Sequence, residues 1–488
     1  MQRLIALLSI LAITVQAQVV TEQAAAQNTG ALAGKEFFKP WEPSEEDSWD
    51  IKKAAHLLRR AGFGGSMTEI KVAYQNGLEW ALRDLIHYER VENPMEKVLQ
   101  DVEHEIGDMN ELSTLQGLWL YRMTRSMRPL EEKMTLFWHG HFATSNYKVD
   151  LPYLMFKQNK LFRKNATGKF PELLQAVSKD AAMILWLDNQ TNVKGNPNEN
   201  FAREIFELFT LSIGNYTEKD IQESARAFTG WQVRGLNFYF NQGQHDFGEK
   251  TVFGKTGNWN GEDICDMVGL HPATAKFLSK KLLKFFVMEE PKQEYIDALA
   301  KVYLSHKGDM KEVLNVLFRS KLFYSPEAYR SLVKSPIELT VGTIRLLNTR
   351  SLKNITLPAL DKMGQQLYNP PNVKGWDGGR TWINTITLLE RNNFLQKMLM
   401  EAPCRNPKKD HPIFQHIKDK EMEPKDAVDH LCKALIQDDL SDNAKKELLD
   451  YFDNEVAETE SGVAAEGYSR KLRRIAYIIM TSPAYQAN

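Results

Sequence analysis

A chain of 488 residues with 62 lysines and arginines against 63 aspartates and glutamates has a net charge of −1. That balance speaks against nucleic acid, an anionic membrane or a strongly acidic substrate as the partner of the whole surface. The length suits one large helical domain or two lobes sharing an interface. The three cysteines, Cys265, Cys404 and Cys432, are widely spaced and match neither a disulfide framework nor a zinc knuckle.

Met1 to Ala17 combines Arg3, an apolar run from Leu4 to Val15 and the small-residue site Val15-Gln16-Ala17, the pattern of a secretory signal. The expectation is export to the periplasm or the cell exterior, with a mature chain from about Gln18. No other apolar run is long enough to span a bilayer. Residues 18–45 are rich in Ala, Gln, Thr and Gly without a period and suit a disordered leader. A main helical domain is expected over 46–400, a charged connector over 401–426, and C-terminal helices over 427–488 packing on the main domain.

Helical spacing and end signals dominate from there on. Trp49, Ala54, Leu57, Leu58 and Ala61 mark a first helix that stops at Gly62-Phe63-Gly64-Gly65, and Ser66 with Glu69 forms a capping box for the next. Pro129 opens a segment that runs through Phe137-Trp138 to His139-Gly140-His141-Phe142. On a continuing helix the two histidines point roughly 200° apart, so they share a ligand only if Gly140 ends the helix. The bland alternative is that each ring packs among the neighbouring aromatics with its nitrogens on backbone groups.

The most constrained stretch is the Asn-rich loop from Asn196 running into a helix over Asn198 to Leu211. Phe201, Ala202, Ile205, Phe206, Leu208 and Phe209 cover well over half its circumference, which predicts a central, mostly buried helix. Glu199, Arg203 and Glu207 follow at i,i+4 on the other side, as a ligand site or as a ladder of ion pairs. Glu204 falls at the edge of the apolar arc. Thr217 with Asp220 then starts another helix, which stops at Gly230.

Trp231 to Gly254 is where the pattern switches. Phe238-Tyr239-Phe240, a turn at Asn241-Gln242-Gly243, and Val252-Phe253-Gly254 predict a small β-hairpin or flap. His245-Asp246 lies within it, fitted either to bind metal or to hold the turn. Pro272 starts a helix with Phe277, Leu278, Lys281, Leu282, Phe285 and Phe286, and with a basic stripe of Lys276, Lys280 and Lys284. Ser335-Pro336-Ile337-Glu338 is a complete start signal. Finally Tyr368-Asn369-Pro370-Pro371-Asn372-Val373-Lys374-Gly375-Trp376-Asp377 and on to Arg380 and Trp382 is too aromatic for an ordinary surface loop. Tyr368, Trp376, Arg380 and Trp382 are its candidate ligand-binding residues, joined by Arg203.

These stretches together, His56-Leu57-Leu58-Arg59-Arg60-Ala61-Gly62-Phe63-Gly64, Phe137 to Ser145, Asn198 to Leu211 with Ala225 to Trp231, and Tyr368 to Trp376, resemble the bacterial family known as domain of unknown function 1800. The resemblance implies an exported protein and a His-x-His and a His-Asp at His139-Gly140-His141 and His245-Asp246. It also implies a partner of the sulfatase-like domain of unknown function 1501 family. It carries over no reaction and no catalytic residue.

The sequence therefore predicts an all-α, multi-helix protein with one small β-hairpin around 231–254. Two functions are open. One is a binding or assembly module of the cell envelope, taking a glycan, a peptide or a partner protein. The other is a metal-assisted hydrolase, with His139, His141, His245 and Asp246 on a divalent metal and Glu204 or Glu207 activating water. Either way the sharp expectation is convergence of His139 or His141, Arg203, Glu204 and His245 or Asp246 on one pocket.

Overall fold

The computed structural model describes residues 36–488 apart from 95, 99, 101–110, 351–352, 407–408 and 455–463. The expected signal segment and the larger part of the expected leader lie outside the described residues. Phe37 and Trp41, at the end of the stretch assigned to the leader, are buried. Trp41 N–H donates to the Arg319 carbonyl and Leu322 N–H to the Phe37 carbonyl, so ordered structure starts before residue 46. Aromatic side chains give this short segment enough apolar surface to hold it down.

The fold is helical, with two small antiparallel two-stranded sheets among the described residues. The expected starts are formed where the capping residues stand. Ser66 with Glu69, Thr217 with Asp220 and Ser335 with Glu338 each exchange both hydrogen bonds of a capping box. Strand β1 (Trp231–Arg234) pairs with β2 (Asn237–Phe240), Trp231 lying opposite Phe240. The chain reverses at Gly235, whose φ of 63° a residue with a side chain rarely adopts. The turn expected at Asn241-Gln242-Gly243 comes after β2, as a short 3₁₀ segment. A second hairpin, β3 (Lys250–Val252) with β4 (Lys255–Gly257), runs on past Gly254.

Apolar side chains form two cores. The first gathers buried residues from Phe37 to Ala328, and the second joins Leu115 to Phe156 with residues from Ile337 to Tyr485. The helix Pro129–His141 serves both, giving Met134, Phe137 and Trp138 to the first and Leu136 to the second. Within 401–426, read as a connector, the helix Pro412–Asp419 buries Ile413, Phe414 and Ile417 in the second core. Those three at i, i+1 and i+4 make one apolar face despite the charge around them.

The expected central helix is buried along Phe201, Ala202, Ile205, Phe206, Phe209 and Leu211, all at 0% exposure. Its geometry departs from a plain α-helix. After an α-helical turn over Asn200–Glu204 it widens to a π-helix over Ile205–Thr210. Leu211 N–H reaches back five residues to the Phe206 carbonyl at 2.7 Å, and the Thr210 hydroxyl takes the Ile205 carbonyl at 2.6 Å. Such widenings arise where a side chain or a packing demand competes for the backbone ladder.

Candidate functional site

The helix Pro129–His141 does not end at Gly140, so His139 and His141 leave opposite sides of it. His139 faces the second core, with ring centroids 5.3 Å from Trp119, 5.8 Å from Tyr368 and 5.5 Å from Trp376. Tyr368 N–H donates to His139 Nε2 at 3.1 Å. The ring proton is therefore on Nδ1, and burial lowers this imidazole's pKa to about 3. His141 faces the first core, 4.5 Å from Phe142 and 6.0 Å from Phe209. Its Nε2 lies 3.0 Å from the Phe209 carbonyl, inside the π-helical segment, and its Nδ1 lies 3.1 Å from Lys281 Nζ. The ring donates through Nε2 and accepts from the ammonium through Nδ1. Burial, and then the Lys281 charge, hold it neutral well below the ordinary histidine range.

The loop from Tyr368 to Trp376 is clamped onto this helix end. Its Tyr368 carbonyl accepts from Asn146 N–H at 2.8 Å, and Asn369 Oδ1 accepts from Tyr147 N–H at 3.1 Å. Gly375, at φ 88°, approaches so closely that a Cβ there would sit 2.4 Å from the Gly140 carbonyl oxygen. Close backbone approach is what demands glycine at 375, whereas a Cβ on Gly140 would meet nothing within 4 Å.

Lys281 stands among the packing positions of its helix, in line with Phe277 and Phe285. It is half-buried and, among the described residues, no carboxylate pairs with it. Burial, followed by repulsion from Lys374, lowers its pKa to about 8. The available signal was its position: four residues from Phe277 and from Phe285, in line with the apolar face and apart from the Lys276, Lys280, Lys284 stripe. Lys374 is exposed on the clamped loop and pairs with Asp377 at 2.6 Å.

The other predicted residues sit in surroundings of their own. Arg203 bridges Glu199 at 3.0 Å and Glu218 at 2.7 Å, so the expected ion-pair ladder is formed at Glu199 and continues to Glu218 in place of Glu207. Glu207 accepts the Tyr216 hydroxyl at 3.0 Å. Glu204 is half-buried and its pKa is raised, by burial first and then by Glu207. His245 is buried between Phe240 and Phe247, with Nδ1 2.7 Å from the Thr229 carbonyl. Asp246 accepts from Arg226 Nε and from Gly248 N–H, both at 2.8 Å, and the Arg226 bond lowers its pKa to about 2. Arg380 is exposed, its N–H on Glu289 at 2.8 Å, and Trp382 is buried.

The expected four-ligand metal set is thus not assembled. Among the described residues no group of three or more His, Cys, Asp or Glu side chains is placed to hold a metal ion. The reason is local: His139 Nε2 and His141 Nδ1 are already hydrogen-bonded on opposite sides of a helix, and His245 with Asp246 closes its own turn. What does converge is backbone and ring. The His-Gly-His end, the π-helical segment and the Pro-Pro loop meet, with Lys281 beside them.

A family model described as protein of unknown function (DUF1800) matches residues 56–487. No curated protein and no solved structure matches the chain.

Proposed function

The chain belongs to the DUF1800 family, and we propose that it is an exported binding module of the cell envelope that takes an acidic glycan beside Lys281, Lys374 and Trp376. Export rests on the signal pattern of Met1 to Ala17. The observation that carries the ligand class is Lys281, a half-buried ammonium held by a neutral imidazole at 3.1 Å and paired with no carboxylate among the described residues. Its nearest charge influence is another cation, Lys374. A carboxylate or sulfate ester of a sugar supplies the missing negative charge, and Trp376, half-buried and two residues from Lys374 on the same loop, is the aromatic residue we assign to the sugar. Among the described residues no three His, Cys, Asp or Glu side chains are placed to hold a metal ion, so we set the metal-assisted hydrolase second.

The test is binding of the secreted protein to arrays of carboxylated, sulfated and neutral glycans. Acidic members bind and neutral ones do not. Lys281→Met removes the binding and Lys374→Ala weakens it about tenfold, the loss of one charge-assisted contact. With its pKa near 8, Lys281 is charged below that pH and loses its charge above it, so affinity falls as pH rises through 8. Equal binding by wild type and Lys281→Met overturns the proposal, as does equal binding of neutral sugars. Cell fractionation with and without residues 1–17 tests the export half.

A further inference from the structure

Arg59 and Arg60 close the helix Ile51–Ala61, in a place where arginines ordinarily reach for water, and here they are 8% and 1% exposed. They are joined at the junction of the two cores by Lys334, 8% exposed, and by Arg391, 0% exposed, from the helix Thr385–Met400. Among the described residues the carboxylates that come near are Glu338 and Asp439, and both are taken. Glu338 is paired with the buried Lys133, and Asp439 with Arg330 and Lys52 while accepting the Tyr329 hydroxyl. Among the described residues Arg59, Arg60, Lys334 and Arg391 have no carboxylate partner.

Neutral acceptors satisfy part of their donor capacity. Arg59 Nη1 donates to Gln437 Oε1, and Arg60 Nη2 to the Ala328 carbonyl and to Ser331 Oγ. Lys334 Nζ donates to the Tyr485 carbonyl and lies over the Tyr485 ring. Arg391 donates to Gln486 Oε1 at 3.0 Å and to the Lys334 carbonyl at 2.7 Å. That leaves Arg60 Nε and Nη1 and Arg391 Nε buried without an acceptor, and Arg59 Nε and Nη2 with only Tyr329, whose ring lies under the guanidinium, beside them. A buried charge without a counter-ion and a buried donor without an acceptor are each strongly unfavourable, and here the groups are neighbours: Arg59 and Arg391 both act on Lys334, and Arg60 and Arg391 both feel Glu338.

We propose that this junction is an internal binding site for one small tetrahedral oxyanion, phosphate or sulfate. Guanidinium forks present paired N–H donors that match the edges of such an ion, and its negative charge offsets several cations at once. The groups feel one another: Arg59, Arg330 and Arg391 all depress the Lys334 ammonium, which burial has already pushed well below its ordinary range. The burial of every member confines the ligand to a free ion; a phosphorylated lipid or polymer does not fit. Bound there, the ion ties the end of the first helix to the strap Ala328–Lys334, the Arg391 helix and the C-terminal turn Pro483–Gln486, and so fastens one core to the other. The site is separate from the Lys281 rim and stands on different observations.

The experiment follows the melting temperature of the full chain against inorganic phosphate, sulfate and chloride at matched ionic strength. Phosphate or sulfate raises it saturably, by about 3 °C at one hundred times the dissociation constant for a chain of this size, and chloride does not. Equilibrium dialysis with labelled phosphate or sulfate recovers one ion per chain. Arg391→Met and Arg60→Met abolish the saturable rise, whereas the surface variant Arg203→Ala keeps it. If the buried variants do not fold, the wild-type dialysis decides. No saturable uptake, a rise matched by chloride, or a rise unchanged in folded Arg391→Met overturns the proposal.

Discussion

His139-Gly140-His141 and His245-Asp246 look alike in sequence, each a short polar motif among aromatics, and the structure uses them at different ranges. The hydrogen-bond partners of the first pair are far away along the chain: Tyr368 is 229 residues from His139, and Lys281 and Phe209 are 140 and 68 residues from His141. Those of the second are local, Thr229 at 16 residues from His245 and Arg226 at 20 from Asp246. The first motif joins distant parts of the fold, and the second holds one turn. Polar residues of the same kind become structural hubs or clasps according to where their partners lie, and long-range closure is the more expensive to replace.

The largest effect that bears on this contrast is expected at Gly375. Alanine there sets its Cβ 2.4 Å from the Gly140 carbonyl oxygen, a backbone atom, and must also hold φ at 88°. Neither strain is relieved by a rotamer change, so Gly375→Ala is expected to lower unfolding free energy by about 3 kcal/mol or more. Urea unfolding measures it. A cost within about 0.5 kcal/mol, the size of an ordinary surface change, breaks the picture of a clamped loop.

Next come the two histidines as a pair. His139→Ala removes contacts to Trp119, Tyr368 and Trp376 and leaves the Tyr368 N–H without its acceptor, an expected loss of about 3 kcal/mol. His245→Ala, in a turn with exposed Phe247 beside it, is expected to cost about half of that. Burial lowers the pKa of both histidines, and for His139 it does so as far as about 3. His139 has a folded pKa near 3, so the unfolded chain takes up its proton first, and stability falls as pH drops from about 6.5 towards 3. That part of the acid slope is expected to vanish in His139→Ala. Equal costs for the two variants would erase the distinction between hub and clasp.

How much of this was legible depends on what kind of group does the work. Helix starts at Ser66, Thr217 and Ser335 are written in residue types three positions apart, and the structure forms each capping box. The buried character of Asn198 to Leu211 is written in its apolar period, but the π-helical widening is not, because it is decided by the packing around Thr210 and Phe206. The expected meeting of His139 or His141, Arg203, Glu204 and His245 or Asp246 is not what the structure brings together: the His-Gly-His end meets the π-helical segment and the Pro-Pro loop instead, through the Tyr368 N–H, the Phe209 carbonyl and the Gly140 carbonyl, backbone groups that residue type does not mark. Side-chain chemistry pointed instead to a metal set that the opposite exits of His139 and His141 prevent. Lys281, and Arg59 with Arg60, were visible as cations in apolar lines; their burial without carboxylate partners needs the third dimension.

The smallest expected effect tests the clasp itself. Asp246 accepts from Arg226 and Gly248, with its side chain 18% exposed, so the pair keeps some contact with water and Asp246→Asn should cost about 1 kcal/mol or less near neutral pH. Its folded pKa, near 2, lies below the ordinary 3.8, which places its stabilising share above pH 3.8 and removes it as pH falls towards 2. The wild type should therefore lose its advantage over Asp246→Asn between those values, below most of the window where His139 acts. Arg226→Met should abolish that difference, because Arg226 is the first cause of the low pKa. If the Asp246→Asn cost instead persists unchanged at pH 2, the carboxylate charge is not what holds the turn, and the Thr229 contacts to His245 and to Asp246 N–H carry the clasp by themselves.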